Sequence, residues 1–139
     1  MNVTVGDIMT SPAMTVMKHH SAEHAVALMR DHRVSALPVV GPQQEPLGII
    51  TASDLLERRA DSVPVAAFMT KPPLSVSVGD GPHVAARIMR NHHLHHVLVV
   101  DHHKVVGIVS AYDLLELVED HRFVAKNAPT PPRRAPNRQ

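Results

Sequence analysis

The chain of 139 residues has no cysteine and no tryptophan, and its aromatic content is one tyrosine and two phenylalanines. Without cysteine there is neither a disulfide framework nor a thiolate zinc site. No stretch approaches the roughly eighteen consecutive apolar residues that a membrane-spanning helix requires. Neither charge sign prevails: 14 basic residues against 13 acidic ones leave +1. That small excess is unevenly placed, because Lys126, Arg133, Arg134 and Arg138 put +4 on residues 125–139 and leave −3 on the rest. A mildly acidic body argues against a broad nucleic-acid surface, which needs clustered Lys and Arg on the folded part. The first residues, MNVTVGDIMTSP, lack the basic start and apolar core of a secretion signal. A cytoplasmic protein with no membrane partner is the expectation.

What is present is aliphatic. Hydrophobic residues make up 44% of the chain, enough for a core that must be built almost without rings. The last fifteen residues are Pro-rich and basic with few apolar side chains, the composition of a disordered tail.

The chain resembles itself. Displaced by 60 residues, Val5, Met9, Thr10 and Pro12 fall on Val65, Met69, Thr70 and Pro72, and Ala25, Met29, Arg30 and His32 on Ala85, Met89, Arg90 and His92. Farther on the offset becomes 59, and Gly48, Asp54, Leu55 and Leu56 match Gly107, Asp113, Leu114 and Leu115. The residue is lost between Val100 and Val106, where a hairpin loop tolerates deletion. The organisation is therefore a first repeat at 1–60, a second at 61–124 and a tail at 125–139.

Each repeat reads β-α-β-β-α, an α+β unit. A short strand near Met14 to Val16 (Leu74 to Val76) precedes a helix from Ser21 to His32 (Gly81 to His92), with Ser21 as N-cap. Strands at Ala36 to Val40 and Leu47 to Thr51 flank the turn GPQQEP, replaced by DHHK in the second copy. A closing helix begins near Ser53 or Tyr112, with Leu55 and Leu56, or Leu114, Leu115 and Val118, expected to face inward. One such unit buries too little surface alone, so the two should pack about a pseudo-two-fold axis.

The most informative residues lie where the last strand of each repeat meets its closing helix, in Gly48-Ile-Ile-Thr-Ala-Ser-Asp54 and Gly107-Ile-Val-Ser-Ala-Tyr-Asp113. The spacing has two readings. Thr51 and Ser110 cap their own helices, with Asp54 and Asp113 as first-turn acids. Alternatively, hydroxyls and helix-start N–H groups receive a phosphate while the carboxylates accept from a ribose diol. Capping is the simpler of the two.

The doubled motif, the tandem β-α-β-β-α units and the segment HRVSALPVV at His32 to Val40 resemble the cystathionine β-synthase (CBS) domain pair, or Bateman module, over residues 3 to 121. The resemblance implies a stand-alone regulatory module, not an enzyme. It requires no cofactor, binds AMP, ADP or ATP, or else S-adenosylmethionine, between the repeats, and signals to a regulated partner by conformational change. It also implies a homodimer.

Carried over residue by residue, the resemblance implies a stronger cleft with Asp113 on the ribose and Ser110, His95 and His96 toward phosphate. Thr10, Met14, Val34 and Ala36 stand on its adenine side. A weaker cleft combines Asp54, Thr51, Thr70, Leu74 and Leu94 with His96. His96 stands where the family often has Arg, so phosphate affinity is expected to be lower and to rise on acidification. Tyr112 replaces a small hydroxyl residue and crowds the phosphate end.

Six of the twelve histidines lie between positions 92 and 103. With His93 and His95 on one strand face and His96 on the other, they form no tetrahedral set, and no metal site is expected. A ligand-independent dimerisation module and a histidine-based metal-responsive protein are the alternatives to nucleotide sensing.

Overall fold

The computed structural model describes residues 2–57 and 61–120; the tail expected at 125–139 lies outside the described residues. In chain order the elements are α1 (Val5–Ile8), β1 (Val16–Met17), α2 (Ala22–His32), β2 (Ala36–Val40), β3 (Pro46–Thr51) and α3 (Ala52–Leu56). A 3-10 turn (Val65–Ala67) leads to β4 (Ser75–Ser77), α4 (Pro82–His92), β5 (His96–Asp101), β6 (Lys104–Ser110) and α5 (Ala111–Asp120). No described helix is long and apolar enough to cross a membrane.

Each repeat forms a three-stranded sheet, β1-β2-β3 or β4-β5-β6, with the first pair parallel and the second antiparallel. The long helices start and stop for identifiable reasons. Ser21 Oγ accepts from the His24 N–H at 3.0 Å, and Pro82 opens α4 where its missing N–H costs nothing. Both helices end in a left-handed residue, Arg33 (φ 57°) and His93 (φ 56°). Beyond it Val34 and Leu94 donate back to the carbonyls of Met29 and Met89, the pattern of a Schellman stop.

Three apolar clusters hold the molecule. Helix α2 packs Ala25 and Met29 on Leu37, Val39 and Ile50, while α4 packs Ala85 and Met89 on Val97, Val99 and Val109. A third cluster joins the repeats: Ala36, Val40 and Ile49 from the first meet Leu98 and Val105 from the second. Strand β2 is thus buried on both faces, which explains its unbroken apolar run ALPVV.

Two segments exchange places. Val5, near the N-terminus, is buried in the second repeat's core, and Val65, which aligns with it, is buried in the first repeat's core. Val5 and Gly6 donate to the carbonyls of Asp80 and Val78, and Val65 donates to that of His20. Each segment then lies against the far strand of the other repeat. Thr10 exchanges two backbone hydrogen bonds with Ile108 (2.9 and 3.1 Å), and Thr70 does the same with Ile49 (2.8 and 3.1 Å).

The closing helices depart from expectation. Leu55 is buried, but Leu56 is 84% exposed, Leu115 65% and Val118 54%, with Tyr112 at 69%. The inward face is narrower than the apolar pattern implied: Leu55 joins the first core and Leu114 packs against the second, while Leu56, Tyr112, Leu115 and Val118 lie outward.

The glycines beside the exchanged segments are required by proximity. A β-carbon on Gly107 would lie 2.5 Å from the Met9 sulfur and 2.8 Å from the Thr10 carbonyl oxygen; on Gly48 it would meet Met69 and Thr70 at 2.7 and 2.9 Å. Gly107→Ala and Gly48→Ala are each expected to destabilise the fold by about 1–3 kcal/mol. Gly79→Ala, where a β-carbon meets nothing within 4 Å, should change it little. Urea denaturation of the three variants checks this, and equal midpoints would refute the steric account.

Candidate functional site

At both strand-to-helix junctions the motif closes on itself. Thr51 Oγ1 accepts from the Asp54 N–H (3.2 Å) while Asp54 Oδ2 accepts from the Thr51 N–H (2.9 Å). Ser110 and Asp113 repeat the arrangement at 3.0 and 2.8 Å. These are reciprocal capping boxes. The simpler of the two readings therefore holds for the hydroxyls, and the first-turn N–H groups of Asp54 and Asp113 are already satisfied. Each box uses only one carboxylate oxygen. Among the described residues, Oδ1 of Asp54 and of Asp113 carries no hydrogen bond, so capping leaves an acceptor on each aspartate.

Beside Asp54 lies a cavity of about 540 Å³. One wall is the β3–α3 junction, with Thr51, Ser53 and Asp54; another is the exchanged segment, with Thr70, Pro72, Pro73 and Leu74; a third runs from the end of α4 into β5, with Leu94 and four histidines. Ser35, Ile49 and Ala52 complete it. The residues expected in the weaker cleft, Asp54, Thr51, Thr70, Leu74 and Leu94, are thus brought together around one space.

Of the residues expected in the Asp113 cleft, His95 and His96 line this Asp54-side cavity. Ser110 and Asp113 lie at the β6–α5 junction, and Thr10 is paired to Ile108. Ala36 is buried in the inter-repeat cluster, Val34 packs on the first core, and Met14 is exposed. Ser53, Ser35, His92 and His93 were not among the expected site residues. Ser53 sits inside the motif itself, and the two histidines directly precede Leu94, so adjacency was the available signal.

The expected strand arrangement of the histidines is corrected. His93 is the left-handed residue that ends α4, and β5 begins only at His96, so His93 and His95 share no strand face. They meet instead at the cavity because the chain turns sharply there. No group of three or more His, Asp or Glu side chains suited to a metal ion occurs among the described residues.

His96 occupies the contact between the repeats. It pairs across the sheet with Ser110, and its Nε2 lies 3.4 Å from Ser35 Oγ of the first repeat. The corresponding residue in the first repeat is Ala36, so the two clefts are chemically unlike. Burial pushes the His96 imidazole below its ordinary value, neighbouring His95 acts in the same direction, and Asp113 pulls it back. His20 is also held low, by partial burial and then by His24 and His19. Its Nδ1 accepts the Met17 N–H at 2.9 Å, which only an unprotonated nitrogen can do.

A family model described as the CBS domain matches twice, at residues 5–61 and 65–120. The CBS domain-containing protein YhcV of Bacillus subtilis is 31% identical over 116 residues, 80% of this chain and 82% of that one. Homoserine O-acetyltransferase of Methanosalsum zhilinae is 31% identical over 123 residues, 87% of this chain but 25% of that protein. The chain spans between 24% and 32% of the length of the first curated relatives it matches. Among solved structures, the CBS domain pair of MJ0100 in complex with 5′-methylthioadenosine and S-adenosyl-L-methionine superposes with a TM-score of 0.80 at 25% identity, covering 86% of this chain and 98% of that one. CBSX2 in complex with AMP gives 0.76 at 25%, covering 86% and 98%.

The two depressed imidazoles set a pH dependence. Below about pH 6.5 the unfolded chain holds more protons at His96 and His20 than the folded one. Their contribution to stability is therefore complete above that pH and is lost as pH falls through the lower folded-state values. Acidification from about pH 7.5 to about pH 5 should lower the denaturation midpoint, and His96→Gln and His20→Gln should each lose less than the parent. Parallel melts across that range read the difference, and identical slopes in all three proteins would contradict it.

Proposed function

The chain belongs to the CBS domain family as a pair of tandem repeats, and on that premise we propose that it is a regulatory module. In this reading an adenosine-containing ligand, of the AMP, ADP or ATP class or S-adenosylmethionine, occupies the crevice between the repeats. The observation that carries the reading is the Asp54-side cavity of about 540 Å³, lined by a carboxylate whose capping box leaves one oxygen without a hydrogen bond among the described residues. A ribose diol offers two donors to such a group. The ligands in the MJ0100 and CBSX2 structures support the same class. The reading takes the Asp54 cleft, whose cavity is described above, as the tighter one, where the sequence expectation put Asp113 first.

Regulation follows if the ligand prefers one relative arrangement of the repeats, since only differential affinity shifts such an equilibrium. A regulated partner protein would read that arrangement in the cytoplasm. The match to about a quarter of homoserine O-acetyltransferase supports a role beside catalysis rather than in it. The exposed Leu56, Tyr112, Leu115 and Val118 support pairing with a second copy, because each repeat presents its closing helix outward and a homodimer buries such a face.

Isothermal titration with AMP, ATP and S-adenosylmethionine tests the ligand class. Asn at position 54 can still cap through its oxygen but then presents an NH₂ where the acceptor was. Asp54→Asn is therefore expected to weaken binding about tenfold or more, and Asp113→Asn less. Equal losses would remove the assigned order, and no heat with any of the three would remove the ligand class. Light scattering of Leu115→Glu/Val118→Glu should show a monomer where the parent is a dimer; a monomeric parent would defeat the pairing.

A further inference from the structure

The Asp54-side cavity has an unusual charge inventory for a site that would accept phosphate. Its titratable lining consists of Asp54 from α3, His92 and His93 from the end of α4, and His95 and His96 at the start of β5. Among the described residues, no Lys or Arg lines it. Lys71 lies in the segment that forms the opposite wall, yet that wall is made by Thr70, Pro72, Pro73 and Leu74. Asp113, on α5, is the one further charged group that acts on His96.

With the imidazoles neutral, the described lining carries a single negative charge. A ribose can still donate to Asp54, but an anionic 5′ substituent meets a carboxylate and only neutral donors. Protonated imidazoles would invert that sign and supply charge-assisted N–H donors. Imidazole is the side chain that makes this change between about pH 5 and 8. Arg, the usual phosphate fork, would hold an anion at every pH and give no such inversion.

We infer that the four-histidine wall makes the Asp54-side cavity a pH-gated charge filter, which takes adenosine derivatives with an uncharged or cationic 5′ substituent near neutral pH and admits anionic ones on mild acidification. This rests on the adenosine-ligand reading above and specifies which members of that class the cavity holds. His92, His93, His95 and His96 are then specificity-determining residues. Their charge selects the 5′ group, while Asp54 recognises the sugar common to all members.

The test uses two probes that differ only in that group, adenosine and adenosine 5′-sulfate, whose own charge does not change over the range. Affinities of the full chain are measured by titration at about pH 7.5 and about pH 5.5. The ratio of sulfate to adenosine affinity cancels any general effect of acid on the fold. It is expected to rise about tenfold on acidification in the parent chain and less than about twofold in His92→Gln/His95→Gln. A ratio that stays flat in the parent, with adenosine bound at both pH values, overturns the filter and leaves the ligand class standing. A rise of equal size in the double variant also overturns it, since the charge would come from elsewhere. Failure of adenosine to bind at either pH overturns both.

Discussion

Two short antiparallel contacts govern the rest of the structure. Thr10 against Ile108 and Thr70 against Ile49 fasten the lead segment of each repeat to the last strand of the other. Each contact satisfies one N–H and one C=O of a sheet edge that would otherwise present them open. Both are possible only because Gly48 and Gly107 leave room for a neighbouring backbone. Val5 and Val65, a few residues upstream, convert the same exchange into burial, so neither core is complete without a residue contributed by the other half. The repeats are therefore one cooperative body, held by crossed connections as well as by the apolar seam of Ala36, Val40, Ile49, Leu98 and Val105.

The cavity is a by-product of that exchange. After Thr70 docks on β3, the chain runs on through Pro72 and Pro73, which stand as a wall opposite the Asp54 junction. The floor is set by residues in equivalent positions that differ in kind. Ser35 is small where its counterpart His95 is bulky, and buried Ala36 is the counterpart of His96. Pseudo-symmetry of the backbone thus coexists with asymmetric chemistry, and His96 contacts both halves of it through Ser35 on one side and the field of Asp113 on the other.

Much of this was legible because the repeat supplies its own check. Periodicity located both long helices to within a residue, Ser21 was readable as a cap, and Thr51 and Ser110 were readable as caps with Asp54 and Asp113 as first-turn acids. The exchange of Val5 and Val65 was not legible. Their alignment was evident, but a sequence match between two segments is silent about which core each one enters. Leu56, Leu115 and Val118 misled for a related reason: an apolar helix face does not show that the same chain covers it. The histidines misled through local geometry, since a left-handed residue at His93 breaks the alternation on which a strand-face argument depends. The volume of the space beside Asp54 depends on side chains meeting across the interface, and no single-sequence pattern encodes that.

The turn between β2 and β3 holds a further consequence. The Val105 N–H donates to the carbonyl of Gln44, joining the start of β6 to the first repeat's hairpin at 2.9 Å. The residue aligned with Val105 is Pro46, which has no N–H to give. That stitch can accordingly be made in one direction only. Two copies of the first half joined head to tail would carry proline at both places and lose it entirely. The halves have ceased to be interchangeable, and the order in which they follow one another is now part of the architecture.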